Sequence, residues 1–198
     1  MIENVIRLKN KKVTNNARIV AYIGPKGCYQ TTTAIEIANH NPKHNILFVS
    51  LEMSPIQLSK RITNKNVDIS DKMVWDGKIL NNYDVIIINN IELLSKNQTI
   101  KWLNTAKKLK NDCKINTCMF THLISNKEDI NYYKSRQNSQ YIKEIADKVW
   151  ILKKDDDNDN NILFKIEKSN FEELDDCWYY MYKMENGKLK KCLWEKVS

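Results

Sequence analysis

No two cysteines stand at Cys-x-x-Cys spacing in this chain of 198 residues, and the five present (Cys28, Cys113, Cys118, Cys177 and Cys192) are odd in number. That pattern excludes an evident disulfide framework or zinc ribbon. The nearest pair, Cys113 and Cys118, has none of His40, His44 or His122 at zinc-finger spacing. The thiols therefore read as incidental residues of a reducing cytosol. A long apolar run is missing from the opening segment MIENVIRLKNKK, so neither a signal peptide nor a membrane anchor is predicted. The expected location is the cytoplasm, that of the host if a phage encodes the protein. Internal repeats and an interdomain linker are missing too. Residues 1–198 are accordingly expected to form a single domain, with an N-terminal arm at 1–16 and a C-terminal β-hairpin extension at 171–198. A fold of this length buries roughly 70% of the surface its unfolded chain exposes, so no metal or disulfide staple is needed. Acidic residues are in deficit, 24 against 32 basic ones, for a net charge of +8. Two readings of that charge stay open: a face that draws the chain to polyanions, or a lysine-coated surface reflecting an AT-rich genome such as that of a phage or mobile element.

Apolar runs alternate with helical patterns along most of the chain. ARIVAYI at 17–23 is a β-branched run that enters Gly24-Pro25-Lys26-Gly27, and Thr31 to Asn39 then carries Ala34, Ile35, Ile37 and Ala38 at helical spacing. The run at 46–49 is continuously apolar, as a strand covered on both faces should be. Ser54-Pro55 opens a predicted helix through Ile56, Leu58 and Ile62. A third run at 84–88 precedes a helix holding Trp102, Leu103, Ala106 and Leu109; INTCMFTHL and KVWIL at 148–152 supply a fourth and a fifth. The expected fold is α/β, a three-layer arrangement with a mostly parallel central sheet and helices on both faces. After the polar turn DDDNDNN, ILFKIEKS, CWYYMYKM and KLKKCLWEKV predict an antiparallel extension, with Asn186-Gly187 as the hairpin turn.

The first strand, loop and helix have the placement of a phosphate-binding loop, in which glycine lets backbone N–H groups approach phosphate and the helix N-terminus adds favourable partial charge. Against G-x-x-x-x-G-K-[ST], Gly24 and Thr31 hold the end positions while Tyr29 and Gln30 replace the second glycine and the lysine. An ordinary strand-to-helix turn is the alternative at this point.

The order of the remaining segments resembles the C-terminal motor domain of DnaB-family replicative helicases, a RecA-like P-loop ATPase, from about Arg18 to Asn170. The blocks that carry the resemblance are ILFVSLEMSPIQLSKR, YDVIIINNIELL, MFTHLISN, SQYIKEIADKVWIL and IEKSN. It implies a nucleotide site in which Gly24, Lys26, Gly27, Gln30, Thr31 and Thr32 face the phosphates and Glu52 activates water. Thr31 and Asn89 would organise magnesium, and His122, beside Thr121, would sense phosphate. Lys168 would serve a neighbouring subunit's nucleotide. Structural alternatives stand beside three of these: Glu52 as a helix-capping carboxylate, His122 as a half-buried strand-end residue and Lys26 as a solvated turn lysine.

The departures from the family pattern share a direction. Gln30, Asn89 and Asn170 each remove a formal charge from positions that handle phosphate or magnesium. Losing one charge-assisted hydrogen bond costs about 1.5 to 3 kcal/mol, roughly 10- to 100-fold in affinity. ATP and Mg2+ are therefore expected as ligands that are weakly held or lost, and hydrolysis is expected to suffer most. In the segment NKEDINYYKSRQNSQ, read as a loop, Tyr133, Lys134 and Arg136 form an aromatic and cationic mixture suited to single-stranded DNA. A surface loop with two core-packed tyrosines is the competing reading. Only about sixteen residues precede the first strand, too few for the family's N-terminal domain. The implied partners are single-stranded DNA and a replicative helicase or other replication protein; self-assembly is not assured and no membrane is implied. Two functions follow: a degenerate ATPase that binds DNA or a helicase partner, or an active minimal DNA-dependent ATPase with Glu52 as base.

Overall fold

Strand β1, Ile19–Pro25, lies inside a nine-stranded sheet of order β3-β2-β4-β5-β1-β6-β7-β8-β9. The computed structural model describes residues 18–113, 115–123, 132–170, 177–186 and 188–197. The other strands are β2 Ile46–Ser50, β3 Val67–Ser70, β4 Val85–Asn89, β5 Asn116–Leu123, β6 Lys148–Lys154, β7 Ile162–Ser169, β8 Tyr179–Glu185 and β9 Lys188–Lys196. The helices are α1 Gln30–Asn39, α2 Pro55–Ser59, α3 Gly77–Leu80, α4 Lys96–Lys108 and α5 Tyr132–Ile145, with a 3-10 turn at Ile91–Leu93 and a π turn at Leu109–Cys113. Among the described residues no helix is long and apolar enough to cross a membrane.

The first six strands in spatial order, β3 through β6, pair in parallel, and β6 to β9 pair antiparallel. The architecture is thus α/β, with a mixed and mostly parallel sheet. Every residue of β2 and β4 is buried, because helices cover both faces. Alternating side chains divide into two cores. Tyr22, Phe48, Ile87 and Phe120 meet Ala34, Ile37 and Ala38 of α1 on one face. Ala21, Val49, Ile88 and Met119 meet Trp102 and Leu103 of α4 and Ile142 of α5 on the other. Each fully buried aliphatic side chain of this kind stabilises the fold by about 1.5 to 3 kcal/mol.

An aromatic row binds the extension to the parallel part. Tyr22 stacks on Phe120 at 4.5 Å and on Trp150 at 6.2 Å, and Trp150 meets Phe164 of β7 at 4.8 Å. Asn186 has φ 51, the left-handed conformation that the Asn-Gly turn requires, although Gly187 lies outside the described residues.

Three features depart from the sequence reading. β3 was not anticipated: only Val67 and Ile69 are apolar in it, and as an edge strand it needs no apolar run. The helix after Ser54 stops at Ser59, and Ile62 lies beyond the turn that follows it. Residues 132–145, most of them read as loop, form α5, so Tyr133, Lys134 and Arg136 begin a helix. The arm at 1–16 and the segments 124–131 and 171–176 lie outside the described residues.

Candidate phosphate-loop site

The turn between β1 and α1 is shaped by three backbone requirements. At Gly24 a Cβ would lie 2.7 Å from Leu152 O and 2.8 Å from Leu152 Cβ, so β6 packs too closely for any side chain. Gly27 has φ +90, a conformation open to glycine and rarely to other residues. Tyr29 also adopts the left-handed region, φ 56, at the N-cap of α1, and its side chain makes no cap hydrogen bond. This is where the motif has its second glycine. Tyr29 occupies it with its ring 5.6 Å from Tyr182, while its carbonyl accepts from Thr33 N and Oγ1. Tyr182 in turn donates to Glu36, which also accepts from Lys191 at 2.6 Å. Burial, and then the Glu36 carboxylate, push the Tyr182 phenol up. The extension thereby fixes the start of α1.

Gln30 turns back into the loop. Its Nε2 donates to Gly24 O at 2.9 Å and Pro25 O at 3.1 Å, and the residue is 1% exposed. The amide closes the loop on itself where a lysine would carry charge. Lys26 is exposed at the tip. Cys28 is buried, and burial pushes its thiol up to about 11, so it is not a nucleophile near neutral pH. Thr32 Oγ1 accepts from Arg61 at 3.1 Å, a cation the sequence reading did not assign to the loop.

From Thr31 a chain of polar contacts runs across the C-terminal ends of the parallel strands. Asn89, at the end of β4 and fully buried, donates to Thr31 Oγ1 at 3.1 Å and to the side-chain oxygen of Asn90. With its oxygen so engaged, the Asn90 amide nitrogen faces Glu52 Oε2 at 2.9 Å and His122 Nδ1 at 3.0 Å. Asn90 reaches both because it sits at φ 64, which asparagine tolerates. His122 lies on β5 directly beside Gly24 of β1. Thus Gly24, Gln30, Thr31, Asn89, Glu52 and His122, from four separate segments, are brought together.

Glu92 was missed. The 3-10 turn after β4 folds it inward to 7% exposure, with Oε1 3.3 Å from His122 Nδ1 and Oε2 without a partner among the described residues. Nothing in NNIELL distinguishes it from an exposed glutamate; only the turn buries it.

Lys168 stands apart. It pairs with Val149 near the N-terminal end of β6, opposite the loop, and donates to the carbonyls of Lys143 and Glu144 at the end of α5. Within one chain this caps a helix. Asn170 likewise serves Asp147, at 3.3 Å. The side chains of Tyr133 and Lys134 lie outside what is described, and Arg136 is exposed on α5.

The residues fit a phosphate better than a magnesium ion. The turn offers N–H groups at the start of a ten-residue helix. Thr31 and Asn89, by contrast, are neutral and hydrogen-bonded to each other, whereas a hard cation favours carboxylate oxygens. Among the described residues no group of three His, Cys, Asp or Glu is arranged to hold a metal. Neither the models of known protein families nor the curated proteins give a match to this chain.

Proposed function

We propose that the chain is a RecA-like P-loop domain of the DnaB-helicase kind that acts in DNA replication or recombination as a degenerate ATPase. It holds a nucleotide weakly, turns it over poorly and binds single-stranded DNA or a helicase partner. The carrying observation is the hydrogen-bonded series Thr31, Asn89, Asn90, Glu52, with His122 beside it, at the carboxyl ends of parallel strands. Ligands of open α/β sheets bind at that end, next to the point where strand order reverses. In this chain β1 lies between β5 and β6, with its successor β2 three strands away.

Degeneracy is supported by the chemistry of the series. Gln30 is committed to loop carbonyls, and Asn89 presents an amide to Thr31 where a metal-binding aspartate would present charge. Phosphoryl transfer depends on such charges to stabilise its transition state. Glu52 remains exposed and linked to Asn90, but Gln30 and Asn89 stand where the family pattern has a lysine and an aspartate.

The test is ATP binding and hydrolysis by the purified chain, with and without single-stranded DNA. Turnover is expected to be no faster than that of Glu52→Ala, while DNA or a replicative helicase is bound. DNA-stimulated hydrolysis abolished by Glu52→Ala would establish an active motor instead.

A further inference from the structure

We propose that Lys154, at the end of β6, brings a cation to the 26–31 loop from a neighbouring strand, and that it contacts the polyphosphate of a bound nucleotide in place of the charge Gln30 lacks. This rests on the nucleotide reading above and names the residue that would make it work. β6 runs beside β1, with Ile151 opposite Ile23, so three more residues of strand carry Lys154 to the loop. A Cβ on Gly27 would lie 3.3 Å from Lys154 Cε and 3.9 Å from Nζ. The ammonium therefore rests against the loop backbone at the one residue there whose missing side chain makes room for it.

Neighbouring groups register the charge. Burial pushes the Cys28 thiol up, and Lys154 draws it partly back. The ammonium's ion pair is with Asp159 at 3.4 Å, a carboxylate 82% exposed to water. Solvent weakens such a pair, so an anion in the loop can take Lys154 over. Lys153, the next residue on the strand, points to the opposite face, where it meets Asp156 and the ring of Trp178.

At the foot of the same loop, Gln30 Oε1 is buried without a partner among the described residues. Its amide nitrogen is held by two carbonyls, so it cannot rotate to hide that oxygen without losing both bonds. An amide oxygen accepts only and polyphosphate oxygens do not donate, so this acceptor can meet a bound anion only through a water that donates to both. The loop therefore combines the start of a helix with a cation brought from a neighbouring strand.

Calorimetric titration of the full chain with magnesium-free ATP and with pyrophosphate tests this. Lys154→Met is expected to weaken both ligands about 10-fold, the low end of a charge-assisted hydrogen bond, whereas Lys153→Met, the same charge change on the other face, should weaken them less than about 2-fold. Lys154→Arg should retain binding, and Gln30→Lys added to Lys154→Met should restore it. Unchanged affinity in Lys154→Met would overturn the assignment. So would binding by Gln30→Lys alone with none by the unaltered chain, although the loop would then remain a phosphate cradle. Absence of binding by both chains would remove the nucleotide reading as well.

Discussion

Asn89 concentrates the difference between a neutral and a charged site in one side chain. It is fully buried and donates to Thr31 and Asn90. Asn89→Asp removes both donors and places a charge beside the Asn90 oxygen, at a cost of about 2 to 3 kcal/mol for buried polar groups left unpaired. The variant should melt lower in EDTA and regain stability as Mg2+ is added; a melting temperature indifferent to Mg2+ would show that a carboxylate alone does not rebuild a cation site. Glycine makes a second residue-scale contrast. Gly24→Ala drives a Cβ into the backbone of Leu152, whereas Gly27→Ala meets mainly a flexible lysine end and an unfavourable φ. Urea denaturation should therefore rank Gly24→Ala as the more destabilising, by about 2 to 3 kcal/mol against about 1.

Elements form where local signals agree with burial, and are missed where one of the two is silent. α4 begins with a reciprocal capping box: Ser95 accepts from Gln98 N and Gln98 reaches back to Ser95 N, so two orphan donors are satisfied. Ser95→Ala should cost about 1 kcal/mol of unfolding free energy, measured by denaturation. Ser54 caps α2 in the same way, yet that helix ends after five residues, although apolar spacing continued to Ile62. Leu58 and Ile62 both still reach the same core, Ile62 from beyond the helix on the way to β3. β3 itself was illegible, since an edge strand buried on one side at most requires no continuous apolar run. The reverse error occurred at α5. Its polar composition suggested a loop, but Ser135, Asn138 and Ser139 are buried, and Asn138 donates to Leu94 O. The first half of the helix packs through small polar residues, and apolar core contacts begin only at Tyr141 and Ile142.

Taken whole, the molecule keeps several acidic protons that its unfolded chain would release. Burial pushes the Cys118 thiol up to about 12 and the Cys28 thiol up to about 11, from an ordinary value near 9.0, and raises the phenols of Tyr22 and Tyr182. Below pH 9 both states are protonated and stability does not depend on these groups. Above it the unfolded state loses protons that the folded state retains, so stability falls as pH rises. The urea midpoint should hold level from about pH 7 to 9 and decline from about 9 to 11, with Cys118→Ala flattening the decline. At this scale the sequence alone determined the strand-helix alternation, the parallel core strands and the antiparallel tail, because long buried runs and an Asn-Gly turn leave few alternatives. The loop pattern marked Gly24 and Thr31, while Glu52, Asn89 and His122 were marked only by the resemblance to the helicase family. Tertiary structure decided which of these meet. The inward turn of Glu92, the return of Gln30 onto its own loop and the approach of Lys154 to Gly27 depend on how separate strands lie side by side. No spacing within one segment encodes that distance.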